Sequence, residues 1–255
     1  MRKELQTFAG KCSRVANMLM AWKPFLEPLW AAIYSKKPTR AVNRGVWKTQ
    51  VLIPLRWIYS FLSHTQGTLT RSWLLSSFLG QGPRITFILD ASPWGLGGIL
   101  LVQGVITSWF MSRLTMTDQR MLNKKIGDST GQQTWELLCV LVALRIWHDW
   151  WCNNRAQVHV KSDNIAALIG AANLRGKAGL ILRELSYTYS LSSFEPAVSE
   201  HVPGVCNSFA DCLSRWWEPG VAQSLPALLK PVPRASAPPR KRHYYKTLVA
   251  EQDGW

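Results

Sequence analysis

Four carboxylates lie in four separate segments of this 255-residue chain, and each interrupts or borders an apolar run. Asp90 ends Ile-Thr-Phe-Ile-Leu, and Glu136 opens Leu-Leu-Cys-Val-Leu-Val-Ala-Leu. Asp163 closes Val-His-Val-Lys-Ser, and Asp211 stands in Asn-Ser-Phe-Ala-Asp-Cys-Leu. An isolated carboxylate is costly to bury unless a positive charge neutralises it. Two hard divalent cations would do so, and would turn the cluster into a site for in-line displacement at phosphorus. All-oxygen donors favour Mg²⁺, with Mn²⁺ as an alternative. His201 precedes Asp211 by ten residues, within His-Val-Pro-Gly, and an imidazole titrates where a proton must move near neutral pH. Asn207, four residues before Asp211, shares a helical face with it.

The elements that must position these groups follow from the apolar patterning. Arg84–Ser92 reads as a central strand, with Gly98–Gln103 and Val105–Met111 as its hairpin partners. Met116–Gln133 is polar and reads as irregular. Trp135–Trp151 is a strong helix that places Glu136 on the face of Cys139, Val140, Ala143 and Trp147, turned toward the sheet. Gln157–Asp163 alternates as a strand, and a right-handed crossover sets its end beside that of the first strand. Asn164–Ala172 and Gly179–Leu191 read as helices, Phe194–Val202 as a weaker strand, and Cys206–Trp216 as the closing helix. The fold class is therefore α/β, a mixed sheet with helices on both faces.

Net charge of +15 and a pI near 10.0 point to a polyanionic partner. Residues 1–80 carry 12 Lys/Arg against 2 Asp/Glu, whereas residues 81–220 carry 12 against 11. The acids thus occupy a near-neutral middle section behind a basic flank, which suits an enzyme acting on a phosphate backbone. The flank reads as mostly helical, with Phe8, Cys12, Val15, Leu19 and Trp22 at three- and four-residue steps. Pro24, Pro28 and Pro54 are expected to break its helices. After Pro219, repeated prolines and Arg240-Lys241-Arg242 predict a disordered tail over 219–255. Five unpatterned cysteines and an N-terminus without an apolar core predict an intracellular protein, cytoplasmic or nuclear. The 22 uncharged residues from Ala91 to Ser112 are too rich in glycine for a membrane span, so none is expected. Gly95-Leu-Gly-Gly lacks the lysine of a phosphate loop, and His201, Cys206 and Cys212 fit no zinc spacing.

Four segments, taken in order, resemble one known family: Ile-Leu-Asp-Ala-Ser-Pro-Trp-Gly-Leu-Gly-Gly, Thr-Trp-Glu-Leu-Leu, Lys-Ser-Asp-Asn, and His-Val-Pro-Gly-Val-Cys-Asn-Ser-Phe-Ala-Asp-Cys-Leu-Ser-Arg. They are similar to the ribonuclease H domain of retroelement reverse transcriptases, over about residues 84–216. The resemblance implies a five-stranded ribonuclease H-like domain at 81–218. It also implies Asp90 as the bridging metal ligand, with Asp211 completing one metal site and Glu136 and Asp163 the other. His201 then matches the family's mobile-loop histidine, and Asn207 the polar residue before the last acid. Residues 1–80, with Phe-Ala-Gly-Lys-Cys-Ser and Lys-Pro-Phe-Leu-Glu-Pro-Leu-Trp, look like a thumb or connection segment. No Tyr-X-Asp-Asp motif is present, so polymerase activity is not expected, although a polymerase portion of a longer polyprotein is an implied partner. Asp90 to Glu136 is a long separation for the family.

The expectation is an endonuclease that cuts the RNA strand of RNA–DNA hybrids with two Mg²⁺ ions. Asp90, Glu136, Asp163, Asp211 and His201 would be catalytic, with Ser92, Trp94 and Asn207 at the substrate. Two other classes remain open on the sequence. One is a retroelement remnant that binds nucleic acid without cutting it. The other is a basic architectural protein whose acids pair with its Lys and Arg.

Overall fold

The computed structural model describes residues 2–35, 46, 48–64, 75, 79, 81–152, 158–191, 198–201 and 207–245. Helices α1 (Arg2–Met18), α2 (Lys23–Tyr34) and α3 (Lys48–Leu62) come first. Strands β1 (Ile85–Ala91), β2 (Gly95–Val102) and β3 (Val105–Arg113) form a meander. Then follow α4 (Met116–Leu122), α5 (Gln132–Ile146), α6 (His148–Trp151), β4 (Val158–Ser162), α7 (Ile165–Asn173), α8 (Gly179–Leu191), β5 (Val198–His201) and α9 (Ser208–Ser214).

The strands make one mixed sheet in the order β3-β2-β1-β4-β5. β1 pairs antiparallel with β2 and parallel with β4, so it lies in the middle. β1 to β4 are described to their side chains, whereas β5 is described by its backbone and by His201. Alternation along β1 sends Ile85, Phe87, Leu89 and Ala91 into the main core, where they meet the buried length of α5 from Trp135 to Leu144. Ile88 points to the other face, beneath α9, with Ile99, Trp109, Leu213 and Leu229. Asp90 follows two residues later on that side, at the carboxyl end of the strand.

Three sequence expectations are corrected. Pro24 lies in the first turn of α2, where no amide is needed, and Pro28 and Pro54 lie inside helices. The break falls instead at the single 3₁₀ turn Met20–Trp22. Burial of Phe25, Leu26, Leu29 and Ile33, with Phe25 stacked on Trp57 at 3.8 Å, offsets the lost backbone bond at Pro28. This helical unit docks on α8, where Ser186 donates to the Ala21 carbonyl and Tyr187 packs on the cluster.

Second, Met116–Gln133 is not irregular. Thr115 and Asp118 form a reciprocal capping box for α4, and Asn123 closes it in the left-handed region. Third, the segment expected as a disordered tail is ordered from 219 to 245. Its prolines leave two short 3₁₀ turns, Ala227–Leu229 and Arg242–Tyr245, in a strap that runs along the outer edge of β3. The Trp109 indole donates to Leu229 and Val232 carbonyls at 3.1 and 2.9 Å, and Ala235 N–H donates to Trp109 O at 2.8 Å. That contact covers a sheet edge. Residues 246–255 lie outside the described residues.

The strap ends in a buried ion pair. Arg240 meets Asp118 at 3.0 Å with side chains 2% and 0% exposed, and Tyr245 donates to the same carboxylate. Removing one member of such a pair leaves an uncompensated buried charge. Arg240→Ala is therefore expected to cost about 3–5 kcal/mol in denaturant unfolding. A loss below about 1 kcal/mol would show that the strap is not part of the folded unit.

Candidate active site

Asp90, Glu136 and Asp163 converge. One carboxylate oxygen from each lies within 4.8 Å of the others. Asp90 comes from the end of β1, Asp163 follows the end of parallel β4, and Glu136 reaches across from the first turns of α5. Glu136 is 2% exposed and Asp90 4%, whereas Asp163 faces solvent. Asp211 on α9 is partly exposed and adds its charge to the field at Asp90.

Glu136, Asp90 and Asp211 are each held by their own neighbours. Glu136 Oε1 accepts from Gln132 Nε2 at 2.9 Å and from Ala91 N–H at 3.3 Å, and Oε2 accepts from Ser162 Oγ at 3.4 Å. The Gln132 amide, one helical turn earlier, also donates to Ala91 O. Asp90 Oδ2 accepts from Ser214 Oγ. Asp211 Oδ1 accepts from Arg215 Nε at 2.6 Å.

The other expected residues fall around this centre with different roles. Ser92 is 1% exposed. Its hydroxyl donates to Ser214 O at 2.8 Å and accepts from the Trp94 and Gly95 amides at 3.1 Å, knitting the β1–β2 turn to α9. Trp94 is partly buried under the turn at Gly127, where an added Cβ would come within 2.6 Å of its ring. Asn207 occupies the N-cap position of α9 but makes no cap bond. It donates instead to Leu89 O at 3.0 Å, leaving Oδ1 buried without a partner. His201 is exposed at the end of β5, and it lies level with Ser162, the residue before Asp163. Residues 202–206 lie outside the described residues.

The glycines of β2 are explained by α9. A Cβ at Gly97 would meet Ala210 O at 2.5 Å and Leu213 Cβ at 2.7 Å, so the helix carrying Asp211 sits directly on glycine backbone. Ser162, Gln132, Ser214 and Arg215 were not read from sequence as site residues. Gln132 stands one turn before Glu136, and Ser214-Arg215 closes the last motif, so both signals were present as spacing.

The electrostatics state what the cluster lacks. Burial, followed by the charges of Asp163 and Asp211, pushes Asp90 up from its ordinary 3.8 to about 7, against the opposing hydrogen bond from Ser214. Burial, then Asp90 and Asp163, pushes Glu136 well above the usual carboxylate range. Two unit charges 4.8 Å apart repel by about 3 kcal/mol at an effective dielectric near 20. The donor set is all oxygen, pre-assembled and short of positive charge, which fits a hard divalent cation. A second group of metal-ligating types, His148, Asp149 and Cys152, clusters around α6, and its His and Asp are exposed.

Comparisons with known proteins add little. No family model matches the chain, and no curated protein matches it. Among solved structures it is similar to RNase H1 from the halophilic archaeon Halobacterium salinarum, at 16% identity and a TM-score of 0.35. That alignment covers 51% of this chain and 92% of that one. No described helix is long and apolar enough to cross a membrane.

The raised acids set a pH dependence. Asp90 takes up its proton more readily folded than unfolded, so its contribution to stability is present below about pH 4. That contribution is lost as pH rises through about 7. Metal-free protein is expected to lose thermal stability across that window, and Asp90→Asn to flatten the decline. A melting temperature that climbs from pH 5 to 8 without metal would contradict the assignment.

Proposed function

We propose that this chain is a ribonuclease H-type endonuclease that hydrolyses the RNA strand of RNA–DNA hybrids. We assign it to the reverse transcriptase of a retroelement. The observation that carries the reading is the meeting of Asp90, Glu136 and Asp163 oxygens within 4.8 Å at the ends of two parallel strands. A mixed sheet with a central strand flanked by one antiparallel and one parallel neighbour, and helices on both faces, supports the same assignment. The retroelement context rests on the four sequence motifs, and polymerase activity is assigned to another part of a longer polyprotein.

In this reading Asp90, Glu136, Asp163 and Asp211 hold two Mg²⁺ ions, with Mn²⁺ as a substitute. When bound, the ions would activate a water and stabilise the departing oxygen of the phosphodiester. Asp90, which meets Glu136 and Asp163 and also feels the charge of Asp211, would be the ligand shared by both ions. Gln132 and Ser162 keep Glu136 aimed at Asp90 through the bonds described above. His201, exposed at the end of β5 and level with Ser162, is the imidazole we assign to proton movement in the reaction. The 12 Lys/Arg of residues 1–80 draw the polyanionic substrate toward it. Asn207 fixes α9 to β1, and Trp94 lines the β1–β2 turn.

An end-labelled RNA–DNA hybrid tests this. Wild-type protein is expected to cut the RNA strand with Mg²⁺ and to stop when the metal is chelated. Asp90→Asn should lower the rate about a thousandfold, the loss of several kcal/mol of charge stabilisation. Equal rates in wild type and Asp90→Asn would sink the nuclease assignment.

A further inference from the structure

We infer that the last turn of α9 carries two positioning residues, Ser214 and Arg215, which fix the Asp90 and Asp211 carboxylates for metal binding. The inference rests on the nuclease reading and goes further by assigning residues outside the acid set.

Ser214 is fully buried and engaged through both its side chain and its backbone. Its hydroxyl donates to Asp90 Oδ2 and lies 3.0 Å from Asp211 O, so one group touches two of the acid-bearing residues. Its carbonyl accepts the Ser92 hydroxyl at 2.8 Å, which ties this turn to the residue two beyond Asp90. The sheet makes room for it. An added Cβ at Gly97 would stand 2.7 Å from Ser214 N, and one at Gly95 would stand 2.7 Å from Ser214 O. Such close approach on both sides of one serine indicates that its place relative to Asp90 is fixed by backbone packing, not by side-chain drift.

Arg215 is the next residue. Its guanidinium is held between Asp211 Oδ1 at 2.6 Å and Glu218 Oε2 at 3.1 Å, spanning the end of α9. The planar fork holds the Asp211 carboxylate and puts a fixed positive charge beside Asp211 and within the field of Asp90. That charge also opposes the upward shift of Asp90. One two-residue step therefore sets carboxylates from two different elements, β1 and α9, in a common frame. Groups that orient metal ligands in this way typically change metal affinity when lost, while the fold persists.

The test uses the full chain and three variants: Ser214→Ala, Arg215→Gln and Arg215→Lys. It reads the Mg²⁺ concentration for half-maximal hybrid cleavage, Mg²⁺ binding by calorimetry and thermal unfolding. Ser214→Ala is expected to raise the half-saturating Mg²⁺ about tenfold. Arg215→Gln should raise it about fivefold, less because the ion pair is partly exposed, with Arg215→Lys recovering part of the loss. A shift under about twofold in folded Ser214→Ala overturns the inference. If that buried variant does not fold, a shift under about twofold in Arg215→Gln overturns it instead. Wild type that cuts while the variants respond as it does leaves the nuclease reading standing and removes this one. Wild type that neither binds Mg²⁺ nor cuts removes both.

Discussion

Asp90 stands at the carboxyl end of the central strand with Glu136 and Asp163 oxygens within 4.8 Å. Buried carboxylates this close have three ways to coexist: they take up protons, pair with a basic side chain, or bind a cation. Among the described residues the second is seen at the edge of the cluster, where Arg215 meets Asp211. For Asp90 and Glu136 the partners are hydroxyls, an amide side chain and a backbone N–H, none of which carries charge. Such donors orient an acid without neutralising it. The raised proton affinities of both groups follow directly, and they mark the centre as built for a positive charge supplied from outside.

The rest of the structure serves this crowding. Parallel pairing of β1 with β4 brings two strand ends to one place. Helix α5 is buried along most of its length, so its single acid has nowhere to turn except toward the strand end. Glycines in β2 let α9 settle on backbone, which brings Asp211, Ser214 and Arg215 close. Even the strap at 219–245 contributes indirectly. Its Leu229 completes the small core under α9, and Arg240 neutralises Asp118. The contrast between those two acid environments is instructive. Asp118 has a buried arginine and needs no ion, whereas Asp90 has none among the described residues.

Much of this was legible in the residues because strands and helices declare themselves by period. The alternating and continuous apolar runs placed β1, β3, β4, α5 and α8 within a few residues. The acids were recognisable because each borders one of those runs. What escaped was information carried by tertiary partners. Pro28 and Pro54 are tolerated because the apolar residues around them are buried against other helices, which no local rule registers. The capping box at Thr115 and Asp118 was hidden in a polar stretch. The strap looked like a disordered tail by composition, since its anchors Leu229, Arg240, Tyr244 and Tyr245 are scattered through a proline-rich stretch. The burial of Ser92 against α9 was not legible either, because a serine beside an acid looks the same in sequence whether it faces out or in. Glu136 stood on its expected face despite the long separation from Asp90, which α4 and the capped turn after it take up.

The most direct test is to locate the ions. Crystals of the protein grown with Mn²⁺, measured for anomalous scattering near the manganese edge, should show density between Asp90, Glu136 and Asp163. A second peak should lie beside Asp211 on the other side of Asp90. Anomalous maps with no peak among these carboxylates, at a Mn²⁺ concentration that supports cleavage, would contradict the account.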